Sequence, residues 1–258
     1  AAAAAAAGAA IIAETTPTLV YLPFRAMAET TRMLFAYGNI PYRDEAIWGM
    51  VFHERRKSME FPWGKTPVLK IPGFRTVAQS GALARYAAKQ AGVYPQDPIA
   101  CAMSDSIYEL AQELCTINPL VNCFVGHQFH AIRADYFKNV LPPALIQLEI
   151  ELTRAQQTSG GQPFFAGATP AHGDFNAFHH LDNAMLLEPD ILQRTESLSE
   201  WFGRMRSLPQ LQGFLSNRPV LNGIGEDPGL EDRLGVRITQ RAPPGRAWLV
   251  DGCWSFEE

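Results

Sequence analysis

The first 90 residues combine two kinds of hydrophobic pattern. Short β-branched or aromatic apolar runs bounded by proline or glycine predict strands, and apolar residues that recur three or four positions apart predict helices. The predicted strands are residues 18–22 (TLVYL), 42–47 (YRDEAI), 67–71 (PVLKI) and 74–78 (FRTVA). The turn pair Pro72 and Gly73 makes a hairpin of the last two strands.

Two helices fit among these strands. The first is predicted over residues 29–37 and ends at Gly38, and the second begins at Ser80, whose hydroxyl is a suitable N-cap. The charged stretch 52–61 (FHERRKSMEF) predicts irregular structure. The order of elements is therefore β-α-β-irregular-β-β-α.

The pattern changes after residue 91. GVYPQDP, residues 92–98, is typical of a linker, and from there helical periodicity dominates with no convincing strand. The sequence thus predicts a mixed α/β domain at 18–91 and an all-helical domain at 99–223. An alanine-rich stretch (1–17) and a segment with Pro-Gly and mixed charge (224–258) are predicted to be N- and C-terminal extensions.

Composition excludes several classes of partner. The 258 residues carry a formal net charge of −4, which provides no basic surface for nucleic acid or for an anionic membrane. No uninterrupted apolar run reaches the roughly 20 residues that a membrane-spanning helix needs.

Cysteine and histidine usage points away from metal. The four cysteines form no CxxC pair, and His127 with His130 lacks a third ligand, so we assign no metal. The cysteine pattern fits a reducing compartment, the cytoplasm or another. An organelle, plastid or mitochondrion, is the alternative if the N-terminus is a processed presequence.

Three motifs in this order resemble the cytosolic glutathione transferases, and in particular the sigma-like class that includes the glutathione-dependent prostaglandin D synthases. They are YLPFRAMAETTRMLFAYGN (21–39), WGKTPVLKIPGF (63–74) and AQSGALARYAAK (78–89). The resemblance covers about residues 18–222. It implies an α/β thioredoxin-like N-terminal domain and an all-α C-terminal domain, the glutathione transferase fold, here with both extensions.

The resemblance implies a catalytic role for Tyr21, at the carboxyl end of the first strand. A thiol with an ordinary pKa of about 8.5 is mostly protonated at neutral pH. A tyrosine hydroxyl that donates a hydrogen bond to the sulfur favours the thiolate. From the residues alone, a tyrosine that merely ends a buried strand remains the other interpretation.

Further positions are assigned to glutathione by the same resemblance. Thr66, before a cis-Pro67, would pair its backbone with the cysteinyl part of the peptide. Gln79 and Ser80 stand at a helix N-terminus, where free N–H groups favour the γ-glutamyl carboxylate. The resemblance also places Lys57 and Lys65 near the glycyl end. It assigns Glu109 to the γ-glutamyl amine across a dimer, with Asp105 as a fallback, and Asp174 to capping a helix of the second domain.

The chain departs from the family at several points. Met27 stands where several members have a second arginine, and the tryptophan usual about four residues before Lys57 is missing. The expected second-substrate site comprises Phe24, Met27, Gln112 and Thr116.

Two functions of different class follow. The first is a glutathione transferase, a detoxification enzyme that uses glutathione as co-substrate to conjugate or isomerise a small apolar electrophile and acts as a homodimer. The alternative is a non-catalytic structural or linker subunit of a larger complex, held by its terminal extensions. A thiol-disulfide or dehydroascorbate-type reductase would need a cysteine near the first strand end, and no cysteine precedes Cys101.

Overall fold

The structure, a computed structural model, describes residues 16–22, 25–47, 49–119 and 129–218, and the backbone of four short strands between 230 and 256. The N-terminal domain alternates strands and helices. Its strands are β1 Thr18–Tyr21, β2 Arg43–Ala46, β3 Val68–Lys70 and β4 Val77–Ala78, and its helices are α1 Glu29–Tyr37, α2 Gly49–Lys57 and α3 Ser80–Gln90. Turns of 3-10 helix lie at Ala26–Ala28 and Pro62–Gly64.

The sheet has the strand order β2-β1-β3-β4. β1 is parallel to β2, β3 is antiparallel to β1, and β4 is antiparallel to β3. A parallel pair needs a crossover connection, which α1 supplies. Leu19 and Val20 of the inner strand β1 are fully buried on opposite faces, as expected for a strand covered on both sides.

The prediction for residues 52–61 was wrong, since Phe52 to Lys57 lie in α2. Phe52 is the buried residue among the described side chains of this helix, and it stacks on Phe61 at 6.0 Å between ring centroids. Arg55 bonds Glu45 and Glu60, and the bond to Glu60 holds the pKa of that carboxyl at about 2. The many charged residues of this stretch hide its helical periodicity, but one of them, Arg55, stabilises the helix through its ion pairs.

The helical domain is formed by α4 Pro98–Ile117, α5 Phe129–Asp135, α6 Leu141–Ser159, α7 His172–Met185, α8 Glu196–Arg206 and α9 Pro209–Asn217. A π-helical turn, Tyr136–Val140, joins α5 to α6. α7 is buried along nearly its whole length and crosses α4 closely. A Cβ on Gly173 would lie 2.4 Å from the carbonyl oxygen of Ser104, so only glycine allows this approach.

Asp174 caps α7, the structural role that the resemblance implies. Its carboxylate accepts the N–H of Ala171 at 2.9 Å and of Phe165 at 3.2 Å, and the indole N–H of Trp201 at 2.8 Å. Ala171 has no side-chain oxygen to cap the helix in return. Instead the Ser104 hydroxyl, from α4, accepts the N–H of Gly173 at 3.1 Å.

In the C-terminal extension the described strands pair in two antiparallel sets, Leu230–Glu231 with Arg237–Ile238 and Ala247–Val250 with Cys253–Phe256. Across the described part of the chain, no helix is both long and apolar enough to cross a membrane.

Candidate functional site

Three of the residues assigned to glutathione lie in one row across the sheet. Val20 of β1 pairs with Val68 of β3, and Val68 pairs with Ala78 of β4. When each strand is continued by one residue in the same register, the next row across the sheet contains Tyr21, Pro67 and Gln79. Adjacent strands are about 4.8 Å apart, so the three backbones lie within about 10 Å of one another.

Tyr21 ends β1 with a mostly buried side chain, 6% exposed. Its carbonyl oxygen accepts the N–H of Ile47 at 2.9 Å. The guanidinium carbon of Arg32 lies 5.9 Å from the centre of the tyrosine ring, within cation–π range. Arg32 is fixed in turn by Asp44 at 2.9 Å and Glu29 at 3.2 Å, so a buried ion-pair group supports one face of Tyr21.

The Thr66–Pro67 peptide bond is cis, as expected from the resemblance. Thr66 precedes β3 and takes no part in the described ladder pairs. Lys65 is exposed immediately before it. Lys57 is also exposed but belongs to the last turn of α2, so the two lysines lie on different elements.

Ser80 does not cap α3, which corrects the sequence prediction. The helix begins at Ser80, its N-cap residue is Gln79, and no side chain caps it. The Ser80 hydroxyl hydrogen-bonds Tyr108, whose pKa burial raises to about 12. The first N–H groups of a helix have no intrahelical partner. This N-terminus, which has no acidic residue in its first turn, therefore offers uncapped donors to an anion.

Gln79 has a backbone φ of 79°, in the left-handed region that residues other than glycine rarely adopt. Such conformations cost about 1–3 kcal/mol and cluster at functional sites. Its carbonyl oxygen accepts the N–H of Leu83 at 3.0 Å, so the unusual φ coincides with the start of α3.

The acidic residues expected to meet the γ-glutamyl amine already have partners. Arg85 Nη2 donates to Glu109 at 2.8 Å, and Arg85 Nε donates to Asp105 at 2.6 Å. Asp105 also contacts His172 Nε2 at 2.8 Å, and His172 Nδ1 lies 3.0 Å from the Ser104 hydroxyl. Burial raises the pKa of Asp105, but the hydrogen bonds from Arg85 and His172 outweigh burial and keep that pKa below its ordinary value.

The structure brings two of the four second-substrate residues together. Met27 Sδ contacts the side-chain amide of Gln112 at 2.6 Å and the thiol of Cys115 at 3.9 Å. Burial raises the pKa of Cys115 to about 12, so this thiol is protonated at neutral pH. Phe24 and the side chain of Thr116 lie outside the described residues.

Sequence reasoning missed a line of buried polar residues on α7. These side chains reach residues 25–30 of the N-terminal domain, and the only sequence signal for them is that polar residues recur at helical spacing in a buried helix. They are Asn176, His179, Asp182 and Asn183.

Among the described residues, no group of three or more histidine, cysteine, aspartate or glutamate side chains is placed to hold a metal ion. His130 is exposed on α5, and its predicted companion His127 lies outside the described residues.

The sequence has recognisable relatives. Residues 117–218 match the family model "Glutathione S-transferase, C-terminal domain". The chain is 29% identical over 215 residues to a glutathione S-transferase P of Capra hircus, covering 81% of this chain and 98% of that protein. It is 26% identical over 201 residues to the hematopoietic prostaglandin D synthase of Gallus gallus, covering 78% and 96% of the two chains.

A solved structure shows the same fold. A monomeric glutathione S-transferase of Necator americanus superimposes with a TM-score of 0.70, at 23% identity, over 81% of this chain and all of that one. The chain is thus a relative of the glutathione transferases and has their two-domain fold. The resemblance predicted from its motifs is confirmed.

Proposed function

We propose that this protein is a glutathione transferase in which Tyr21 stabilises the thiolate of glutathione for addition to, or isomerisation of, a small apolar electrophile. The row that joins Tyr21, cis-Pro67 and Gln79 is the observation that carries the proposal. In it the backbone of Tyr21 lies beside a backbone segment outside the ladder and an uncapped helix N-terminus. The relatives named glutathione S-transferase and prostaglandin D synthase support the same activity.

Each part of the row matches one part of the peptide. The γ-glutamyl carboxylate binds the uncapped N-terminus of α3, where the helix dipole is positive. The cysteinyl backbone pairs with Thr66, as an added strand would. The thiol then lies at the end of β1, where the Tyr21 hydroxyl donates to sulfur. Lys65 is near enough along the chain to Thr66 to serve the glycyl carboxylate, whereas Lys57 would act from α2.

The chemistry follows from the thiol pKa. Each unit by which the bound thiol's pKa falls below about 8.5 is worth about 1.4 kcal/mol, and the first such unit raises the thiolate fraction at about pH 7 about eightfold. The electrophile binds against Met27 and Gln112. We further propose a homodimer in a reducing compartment such as the cytosol.

Conversion of Tyr21 to phenylalanine tests the proposal. Turnover with 1-chloro-2,4-dinitrobenzene should fall about 100- to 1,000-fold, the range for loss of one donor to a developing anion. The dissociation constant for glutathione should stay within about threefold, because the other contacts remain. Tyr86→Phe is the matched control, a half-buried tyrosine of α3 that should retain full turnover. Unchanged turnover in Tyr21→Phe would remove Tyr21 from the mechanism.

A further inference from the structure

The polar line on α7 holds the segment that follows Tyr21. Asn176, His179 and Asn183 are spaced by three and four residues, so they share one face of the helix. The Thr30 hydroxyl donates to Asn176 at 2.7 Å, which fixes the start of α1. Each of the four residues of this line has a contact with residues 25–30, the stretch that connects the strand of Tyr21 to α1.

His179 makes the most direct of these contacts. Its Nε2 lies 3.0 Å from the carbonyl oxygen of Ala26, and since a carbonyl oxygen only accepts, Nε2 carries the hydrogen. The side chain is fully buried. Burial, followed by the charges of Arg218 and Arg25, lowers its pKa well below the ordinary value. His179 is therefore a neutral donor with a fixed tautomer.

The backbone of Ala26 has an unfavourable conformation, which the contact with His179 helps to hold. Its φ of 26° lies in the positive region that alanine rarely adopts, and conformations of this kind persist only where the surroundings enforce them. Ala26 begins the 3-10 turn that carries Met27. The turn therefore follows Tyr21 closely along the chain and contributes to the expected electrophile site.

Arg25, beside Ala26, is held from the same helix. Its Nη1 lies 3.5 Å from the Asn183 amide oxygen and 3.7 Å from the Asp182 carboxylate, with the arginine 9% exposed. Arg218, at the end of the helical domain, also bonds Asp182 and lies 3.6 Å from Glu29. The helical domain thus contacts the turn at two groups, the Ala26 carbonyl and the Arg25 guanidinium.

We infer that His179 is a positioning residue for thiol activation, holding the Ala26 carbonyl and through it the geometry of the turn next to Tyr21. The inference rests on the proposed function. It makes the thiol pKa depend on a side chain of the helical domain that does not touch glutathione. His180 provides a control for packing, since it is equally buried on the same helix and its ring lies 4.6 Å from the His179 ring between centroids, but its ring nitrogens have no hydrogen-bond partner in the described structure.

The test compares His179→Leu, His179→Gln and His180→Leu in the full chain, each checked for folding by circular dichroism. The pH dependence of conjugation gives the pKa of bound glutathione. In His179→Leu this pKa should rise by about 0.5 to 1 unit, which lowers turnover at pH 6.5 about 3- to 10-fold, with the KM for glutathione within about twofold. Glutamine, which restores an N–H donor, should recover most of the loss, and His180→Leu should retain the wild-type pKa.

Two other outcomes would each overturn a different claim. A wild-type protein that does not lower the thiol pKa refutes the proposed function and the positioning role with it. A lowered wild-type pKa that His179→Leu preserves, or that His180→Leu disturbs equally, refutes the positioning role alone. If His179→Leu does not fold, His179→Met, which also lacks a donor to the Ala26 carbonyl but has a longer side chain, should raise the thiol pKa in the same direction, and an unchanged pKa there refutes the inference.

Discussion

Arg85 donates to Glu109 at 2.8 Å within a single chain. The acidic side chain expected to reach the glutathione of a neighbouring subunit thus already has a cationic partner. Glu109 is nevertheless 60% exposed, so its second carboxylate oxygen remains accessible to a further donor. Arg85 therefore orients Glu109 and leaves it available to an amine.

This arrangement predicts that Glu109→Gln weakens glutathione binding. Loss of a mostly solvated ionic contact should raise the KM for glutathione about 1.4- to 5-fold, equivalent to the 0.2–1 kcal/mol typical of exposed pairs, and leave turnover at saturation nearly constant. Steady-state kinetics measures both values. Glu151→Gln is the control, because Glu151 is also an exposed glutamate bonded to an arginine, on α6. Equal KM values in the two variants would exclude Glu109 from the binding site.

Asp174 is expected to be a principal source of stability in the helical domain. Asp174→Ala leaves three N–H donors without their acceptor, including the buried indole of Trp201, and should lower the free energy of unfolding by about 2–5 kcal/mol. Urea denaturation measures the loss. Asp135→Ala, at an exposed aspartate of α5, should change stability by no more than about 0.5 kcal/mol.

The same variant has a defined pH dependence. Burial raises the pKa of Asp174 from 3.8 to about 6 in spite of its three donors. A group with a raised folded-state pKa contributes most below its unfolded pKa, and that contribution declines as pH rises through the folded value. The destabilisation by Asp174→Ala should therefore be about 1 to 1.5 kcal/mol larger at pH 5 than at pH 7.5. A larger loss at pH 7.5 would show that the aspartate is bound more tightly as the anion.

Trp63 is expected to contribute to a subunit interface. It is 78% exposed on the 3-10 turn before β3, and Phe74 of the β3–β4 turn is 79% exposed. Large exposed aromatic residues mark interaction surfaces. Light scattering should give the mass of two chains for the wild type and of one chain for Trp63→Ala, with Ile146→Ala, 55% exposed on α6, remaining dimeric. A wild-type monomer, as in the Necator americanus relative, would refute the dimer.

How far the sequence predicts the structure depends on the range of the contacts involved. β1 and α1 depend on local hydrophobic period and were located to within one residue. α2 was missed because its stability comes from Phe52 packing and from ion pairs of Arg55, which no periodicity reveals. Ser80 was misassigned as a cap because it is already the first residue of α3, and the N-cap is Gln79, whose φ of 79° no local pattern indicates.

In the candidate site, too, local motifs could be predicted from the sequence and long-range contacts could not. The family motifs named Tyr21, Pro67 and Gln79, and the strand register brings them into one row. The contact between His179 and Ala26 joins positions 153 residues apart. Nothing in the sequence near either residue indicates it, because a buried polar helix face becomes visible only when the domain opposite is in place.

Removal of residues 224–258 should leave the core protein folded. The helical domain closes at Arg218, which is anchored by Asp182 and Glu29 ahead of the deleted segment. The melting temperature should change by no more than about 2–4 °C, the shift expected for 1 kcal/mol in a protein of this size. Altered kinetics would identify the extension as a lid. Loss of co-purifying partners with activity intact would favour the alternative of a subunit anchored by its extensions.

The most direct test of the central claim is the ultraviolet difference spectrum of glutathione bound to the 258-residue chain, titrated from about pH 5 to 9. A thiolate band that titrates at least one unit below the free thiol's pKa of about 8.5, and that returns toward that value in Tyr21→Phe, is the result expected. A folded protein that binds glutathione with no shift in the thiol pKa would contradict the assignment of Tyr21 and of transferase activity.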